Sequence, residues 1–262
     1  MLYLVGAGPS IEYLSLRAIE ILRRASRVYV DTYTSIAPGL DAENLRAYAP
    51  GAEIVNADRR MLENESTKII EEARHMDVVV LVPGDPLFAT THISLILEAY
   101  EKGVGAEIVP GVSGIQAVID STGLQLYKFC RPITLVYPEG FKPFSVIETI
   151  WDNMRRNLHS LLLLDLRLDE KKAMTIKEAI TILLELEKEL AKEVNGDLKI
   201  ASSIVVGVAR AGLPGSKCKA GKPTTLLKED FPPPPHSLIV TAPRLHPLEA
   251  EALRRLCDCT EC

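Results

Sequence analysis

The chain has 262 residues, 47% of them apolar and 25% charged, with a net charge of −5. That is the composition of a globular protein, long enough that two domains are expected, at residues 1–112 and 113–262. The acidic balance leaves no basic stripe for nucleic acid, and no apolar run approaches the roughly 18 residues needed to span a membrane.

Met1 to Val5 reads as a first strand and not a signal peptide, because it enters a glycine turn with no basic flank. A cytoplasmic location is the expectation. Gly6-Ala7-Gly8-Pro9-Ser10 matches a dinucleotide fingerprint only superficially: Ile11 stands where the third glycine would fall, and Pro9 removes an amide that a pyrophosphate would use. A Rossmann nicotinamide site is therefore rejected, while a strand-end turn that admits a ligand to the backbone survives. Ser15 then predicts the N-cap of a helix with Leu16, Ile19, Ile21 and Leu22 inward.

Arg27 to Asp31 reads as a second strand, leading through Thr32-Tyr33-Thr34-Ser35 to a Pro38-Gly39 turn. A third strand is expected around Glu53 to Val55, followed by a polar helix with Ile69 and Ile70. Val78 to Val82 is an unbroken apolar run, as expected of a strand buried on both faces of a parallel sheet. It breaks at Pro83-Gly84-Asp85-Pro86, which leaves Asp85 as an acceptor at the strand's carboxyl rim, for a ligand or for nearby amides. Past Thr90-Thr91-His92 a helix is predicted, with Ile93, Ile96, Leu97 and Tyr100 on one face. Ala106 to Val109 is a fifth strand; it runs into Pro110-Gly111-Val112-Ser113-Gly114-Ile115 and a helix carrying Ala117, Val118 and Ile119. This alternation predicts a mostly parallel sheet with helices on both faces. Glycine turns end three of the strands (Gly6 and Gly8, Gly84, Gly111 with Gly114), and side by side they would suit a flat ligand.

The second half predicts an α/β domain with strands at Ile133 to Val136, Leu161 to Leu164, Ile200 to Ala209 and Leu238 to Thr241. Helices are expected from about Ser145 to Leu158 and Thr175 to Val194. Gly212 to Lys217 lacks the spacing of a Walker loop. The doublets Arg23-Arg24 and Lys171-Lys172 read as solvated helix ends. Of five cysteines, Cys257, Cys259 and Cys262 crowd the end of the chain. Zinc would need Cys218 or His246 as a fourth ligand, so no metal is assigned and reduced thiols on a mobile tail are expected. The histidines (positions 75, 92, 159, 236 and 246) show no metal spacing, and no zinc helix or Gly-x-Ser-x-Gly elbow is present.

The turns at Gly6-Ala7-Gly8-Pro9, Pro83-Gly84-Asp85-Pro86-Leu87 and Pro110-Gly111-Val112-Ser113-Gly114 together resemble those of the tetrapyrrole methylase superfamily. Stretches from Pro83 to His92, from Thr122 to Phe129, Tyr137-Pro138-Glu139-Gly140, Leu163-Leu164-Asp165, Ala209-Arg210-Ala211-Gly212 and Pro234-Pro235-His236 resemble the branch that modifies translation elongation factor 2 in diphthamide biosynthesis. The resemblance runs to about Leu253. It implies a two-domain α/β fold with a mostly parallel N-terminal sheet, an α/β C-terminal domain, and S-adenosylmethionine in the cleft between them. Its implied cofactor contacts are Pro9, Asp85, Phe88, Gly114, Ile115, Leu164, Ala211 and His236. Pro9 stands where that family commonly has Leu, and Gly114 where it commonly has Ser, which removes a hydroxyl.

The implied reaction is methylation, three times over, of the amino nitrogen of a 3-amino-3-carboxypropyl-histidine, leaving S-adenosyl-L-homocysteine. The implied assembly is a homodimer with elongation factor 2 as protein substrate. Displacement at a sulfonium methyl develops little net charge, so positioning can supply much of the catalysis and no triad is required. Glu139 and Asp165, each just past a strand, are the candidate proton acceptors. The alternatives are a corrin (precorrin) methyltransferase of the same superfamily and a non-catalytic S-adenosylmethionine-binding module.

Overall fold

The computed structural model describes residues 1–168, 170–194 and 199–262. They divide into two compact units, Met1–Ala117 and Val118–Cys262.

In the first unit, β1 (Leu2–Gly6), β2 (Arg27–Asp31), β3 (Glu53–Ala57), β4 (Val78–Val82) and β5 (Ala106–Val109) form one parallel sheet in the order β3-β2-β4-β1-β5. Its helices are α1 (Leu16–Arg24), α2 (Ala42–Leu45), α3 (Ser66–Ala73) and α4 (Ile93–Glu101). Successive strand residues face opposite ways. Leu2, Leu4, Val78, Val80 and Val82 therefore pack with Ile69, Ile70, Leu95 and Ile96, and Tyr3, Val5, Val79 and Leu81 pack with Ala18, Ile21 and Leu22 on the other face. The chain leaves β1 towards β2 on one side, and leaves β4 towards β5 on the other. Neighbouring β4 and β1 thus form a topological switch point, where open α/β sheets bind ligands beyond their strand ends.

Two helix faces differ from expectation. Ser15 caps α1 by accepting from the Ala18 amide at 3.1 Å, yet Leu16 is 87% exposed. The inward stripe runs through Ala18, Ile21, Leu22 and Ala25, and Leu16 lies off it. In α4 the sheet takes Leu95, Ile96 and Ala99, and leaves Ile93, Leu97 and Tyr100 outside. Both sets have helical spacing, so periodicity alone could not choose between them.

Helix α5 (Gly114–Thr122) carries the chain from the first unit into the second, where β6 (Ile133–Leu135), α6 (Phe144–Arg155), β7 (Ser160–Leu164), β8 (Leu166–Arg167), β9 (Lys172–Ala173) and α7 (Ile176–Val194) follow. There follow β10 (Val205–Ala209), β11 (Lys217–Gly221), α8 (Pro223–Leu226), β12 (His236–Val240) and α9 (Pro247–Leu256). The sheet order is β11-β10-β12-β7-β6, antiparallel except for β6 with β7; β8 and β9 make a small hairpin. Helices α6 and α7 cover the sheet through Ile147, Ile150, Leu183 and Leu186 against Leu162, Val205 and Leu238. The strand expected from Ile200 begins later. Buried Glu187 of α7 accepts from the Trp151 indole at 2.8 Å and from the Lys199 and Ile200 amides at 2.9 Å each, which holds Ile200–Ser202 in a 3-10 turn.

The tail also corrects the sequence reading. Cys218 is bonded to Cys257 and Cys259 to Cys262, with Cys130 left free. Cys257 and Cys259 are buried, and the Cys257 carbonyl accepts from the Ala220 amide on β11 at 2.8 Å. The thiols are therefore neither reduced nor on a mobile segment. Closing a loop across 39 residues restricts the unfolded chain by about 4 kcal/mol on the chain-entropy model. Calorimetry with and without reductant should accordingly show a clear fall in Tm on reduction, reproduced by Cys218→Ser; identical transitions would rule that contribution out. Among the described residues no helix is long and apolar enough to cross a membrane, and no group of three His, Cys, Asp or Glu is arranged for a metal ion.

Candidate active site

At the carboxyl rim of the first sheet, the glycine turns after β1, β4 and β5 converge, because β4, β1 and β5 are neighbours. Gly8 and Gly84 exchange backbone hydrogen bonds of 3.0 and 2.9 Å across the switch point. A methyl group built on Gly6 would lie 2.6 Å from the Gly111 nitrogen and 2.7 Å from the Gly84 carbonyl. Such an approach is open only to glycine. Asp85 ties two of the turns together: Oδ1 accepts from the Leu87 amide at 2.9 Å and Oδ2 from the Gly111 amide at 3.1 Å.

Beyond Asp85 the loop projects Phe88, 58% exposed, and turns at Ala89 with φ +59°, a left-handed conformation that is costly for a residue with a Cβ. The loop's far end is pinned by a pair that sequence reasoning missed. His92 Nε2 lies 2.9 Å from Asp31 Oδ2, both side chains are buried, and Asp31 Oδ1 accepts from the Tyr33 amide at 2.9 Å. The two residues are 61 apart in the chain, and a single sequence holds no local signal for such a pair. Ser113 Oγ accepts from the Ile115 amide at 3.2 Å, and a Cβ on exposed Gly114 would meet nothing within 4 Å, so the space a serine would fill there is open.

In the second unit, strand register brings the remaining candidates to one sheet end. Leu135 pairs with Leu164, Leu163 with Ser237, and Ala209 with His236. Arg210, between Ala209 and Ala211, has φ +56° and donates its amide to the Pro235 carbonyl at 2.8 Å. Both ring nitrogens of His236 are engaged: Nδ1 accepts from the Ile176 amide at 3.1 Å and Nε2 donates to the Pro232 carbonyl at 2.6 Å. Burial lowers its pKa and keeps the ring neutral. A ligand contact at His236 would use its ring face or its backbone.

Glu139 and Asp165 lie here too, within one ion-pair cluster. Glu139 accepts from Arg167 Nη1 at 2.6 Å and Lys172 Nζ at 2.9 Å, and Asp165 accepts from Arg167 Nε at 3.1 Å. Lys172 and Arg167 hold the Glu139 carboxyl at about 2, which makes it a weak proton acceptor. Lys172 is no helix-end lysine, as its doublet suggested: it lies on β9 with its ammonium 3.9 Å from the centre of the Tyr137 ring. Burial, then Glu178 and Asp165, push the Tyr137 hydroxyl up to about 12.

A parallel sheet with strand-end glycine turns packed across its switch point, followed by a second α/β unit, defines a class. Residues 1–226 match the Tetrapyrrole (Corrin/Porphyrin) Methylases, and the chain belongs to that family. It is an S-adenosylmethionine-dependent methyltransferase. More particularly, it is 43% identical to the diphthine synthase of Staphylothermus marinus, over 100% of this chain and 95% of that protein. It is 36% identical to the diphthine methyl ester synthase of Aspergillus fumigatus, over 97% of this chain and 93% of that one. A crystal structure of a diphthine synthase superposes with a TM-score of 0.87 at 34% identity, covering 98% of this chain and 96% of that one. These relatives favour the diphthamide-biosynthesis reading over the corrin one.

The first unit's rim fits an S-adenosyl group. The space beside Gly114 is open, exposed Phe88 offers an apolar wall, and Ser10 Oγ, next to Pro9, is buried with no hydrogen-bond partner among the described residues. Replacing Asp85 by Ala should weaken cofactor binding by roughly 1–3 kcal/mol, since it both frees the Gly111 amide and loosens the turns that shape the rim. Titration calorimetry checks this; cofactor affinity equal to wild type would remove Asp85 from the site.

Proposed function

We propose that this chain methylates the amino nitrogen of a 3-amino-3-carboxypropyl-histidine on translation elongation factor 2, three times in succession, giving diphthine. The observation that carries the reading is full-length similarity to diphthine synthases. We assign cofactor contacts to Pro9, Asp85, Phe88, Gly114 and Ile115 in the first unit and to Leu164, Ala211 and His236 in the second.

When bound, the cofactor supplies an electrophilic methyl on a sulfonium. The protein's part would be to hold the amine in line with that methyl. The amine must be neutral before each attack. Since Arg167 and Lys172 engage Glu139 and Arg167 also engages Asp165, the released proton passes to water in this scheme. Water is an adequate acceptor because the proton leaves the ammonium between transfers, in exchange with solvent, and not in the methyl-transfer step itself.

The test is to incubate the protein with labelled cofactor and elongation factor bearing the unmethylated intermediate, then weigh the modified peptide. A gain of three methyl groups is expected. A fourth would point to the methyl ester, and no gain would sink the reading. The homodimer belongs to the same reading: the outward stripe of α4 (Ile93, Leu97 and Tyr100) is an apolar face available for it. Light scattering should give twice the chain mass, falling towards the chain mass with Leu97→Glu; a monomeric wild type removes the dimer.

A further inference from the structure

We propose that Arg167 and Lys172 form the clamp that binds the substrate's own carboxylate, and that Glu139 occupies the clamp until the substrate displaces it. The proposal rests on the functional reading above, in which the target amine and a carboxylate share one carbon. Arg167 and Lys172 are directly opposed across the β8–β9 hairpin, so their side chains emerge on the same face. Like charges so placed repel, unless an anion lies between them.

The cations have two kinds of partner. One kind is held in place: Asp165, whose side chain is 14% exposed, takes Arg167 Nε, and the buried Tyr137 ring lies under the Lys172 ammonium. The other is Glu139, whose side chain is 55% exposed and which takes Arg167 Nη1 with one oxygen and Lys172 Nζ with the other. Glu170 is more distant, 3.7 Å from Arg167 Nη1. Two-point capture by a guanidinium and an ammonium is the geometry that recognises a carboxylate. An exposed ion pair contributes little stability, so exchanging Glu139 for another carboxylate costs little. With Asp165 and Tyr137 still in place, both cations stay aimed when Glu139 leaves. The clamp also sits where it is needed: Asp165 directly follows Leu164, a proposed cofactor contact at the end of β7.

Steady-state kinetics on the full chain, with the modified elongation factor as varied substrate, test this. R167M and K172M should each raise KM for the elongation factor roughly tenfold or more, with cofactor affinity near wild type in both and Tm near wild type in K172M. E139Q should lower KM, because it removes the competing carboxylate; a purely structural ion pair would instead lower Tm and leave KM alone. Should R167M not fold, K172M and E139Q carry the same test, since neither touches Asp165. Wild-type KM in the folded variants, or a raised KM in E139Q, overturns the clamp while wild-type transfer upholds the functional reading. A wild type that transfers no methyl overturns both.

Discussion

Gly111→Ala should be among the most damaging single-methyl changes in the first unit. A Cβ there would lie 2.7 Å from the Gly6 carbonyl carbon and 2.8 Å from its Cα, and closer still to the Gly84 carbonyl. All three obstacles are backbone, held by neighbouring strands, so no side chain can rotate away and the turns themselves must separate. Overpacking of this kind costs about 3 kcal/mol or more, which for a chain of this size is a fall in Tm of roughly 6–12 °C. Cofactor affinity should drop with it, because the same three turns shape the rim. Gly51→Ala is the control: a Cβ there meets nothing within 4 Å, and its effect should stay within about 0.5 kcal/mol. If calorimetry gives the two variants the same Tm, the convergence of the three turns is not what makes glycine necessary.

Glu249→Ala should be comparably severe in the second unit. Fully buried, Glu249 accepts from Lys128 Nζ at 2.5 Å, His159 Nε2 at 3.0 Å, and the His246 and Gln125 amides at 2.8 and 3.2 Å. It thereby ties Leu126–Lys128, which leaves Leu126 and Tyr127 exposed, to α9 and β7. Removing it strands a cation and a buried imidazole, at a cost of about 3–5 kcal/mol.

The same group makes stability depend on pH. Burial raises the Glu249 pKa, but Lys128, His159 and the two amides outweigh it and bring the carboxyl to about 2, from 4.5. Its contribution is complete above the unfolded value and is lost as pH falls from about 4.5 to about 2. His159 adds an earlier loss. Its Nδ1 accepts from the Ala242 amide at 2.9 Å, so Nε2 carries the proton, and burial lowers its pKa. The unfolded chain therefore takes up a proton first, and stability falls as pH drops below the ordinary value of 6.5. Denaturant melts between pH 7 and 3 should show both declines in wild type, with the lower one smaller in Glu249→Gln; Glu139 and Glu98, also lowered to about 2, account for what remains. A lower decline of undiminished size in that variant would assign it to other carboxylates.

The parallel sheet of the first unit, its strand-end turns and most of the helices were legible from residues alone, as was the place of Gly84 and Asp85 in the turn just past β4. These features are local. A buried strand announces itself in consecutive residues such as Val78 to Val82, an N-cap in Ser15, a tight turn in Gly84, because burial period and backbone freedom act over a few positions. The tertiary structure alone decided which of two apolar faces α4 would bury, that Cys218 would bond Cys257 across 39 residues, that His92 would meet Asp31 across 61, and that Glu139 would rest on Arg167 and Lys172. Each of these is a choice among distant partners of equal local merit. It is made by the register of the strands and by where the sheet turns its backbone, which no short window of sequence contains.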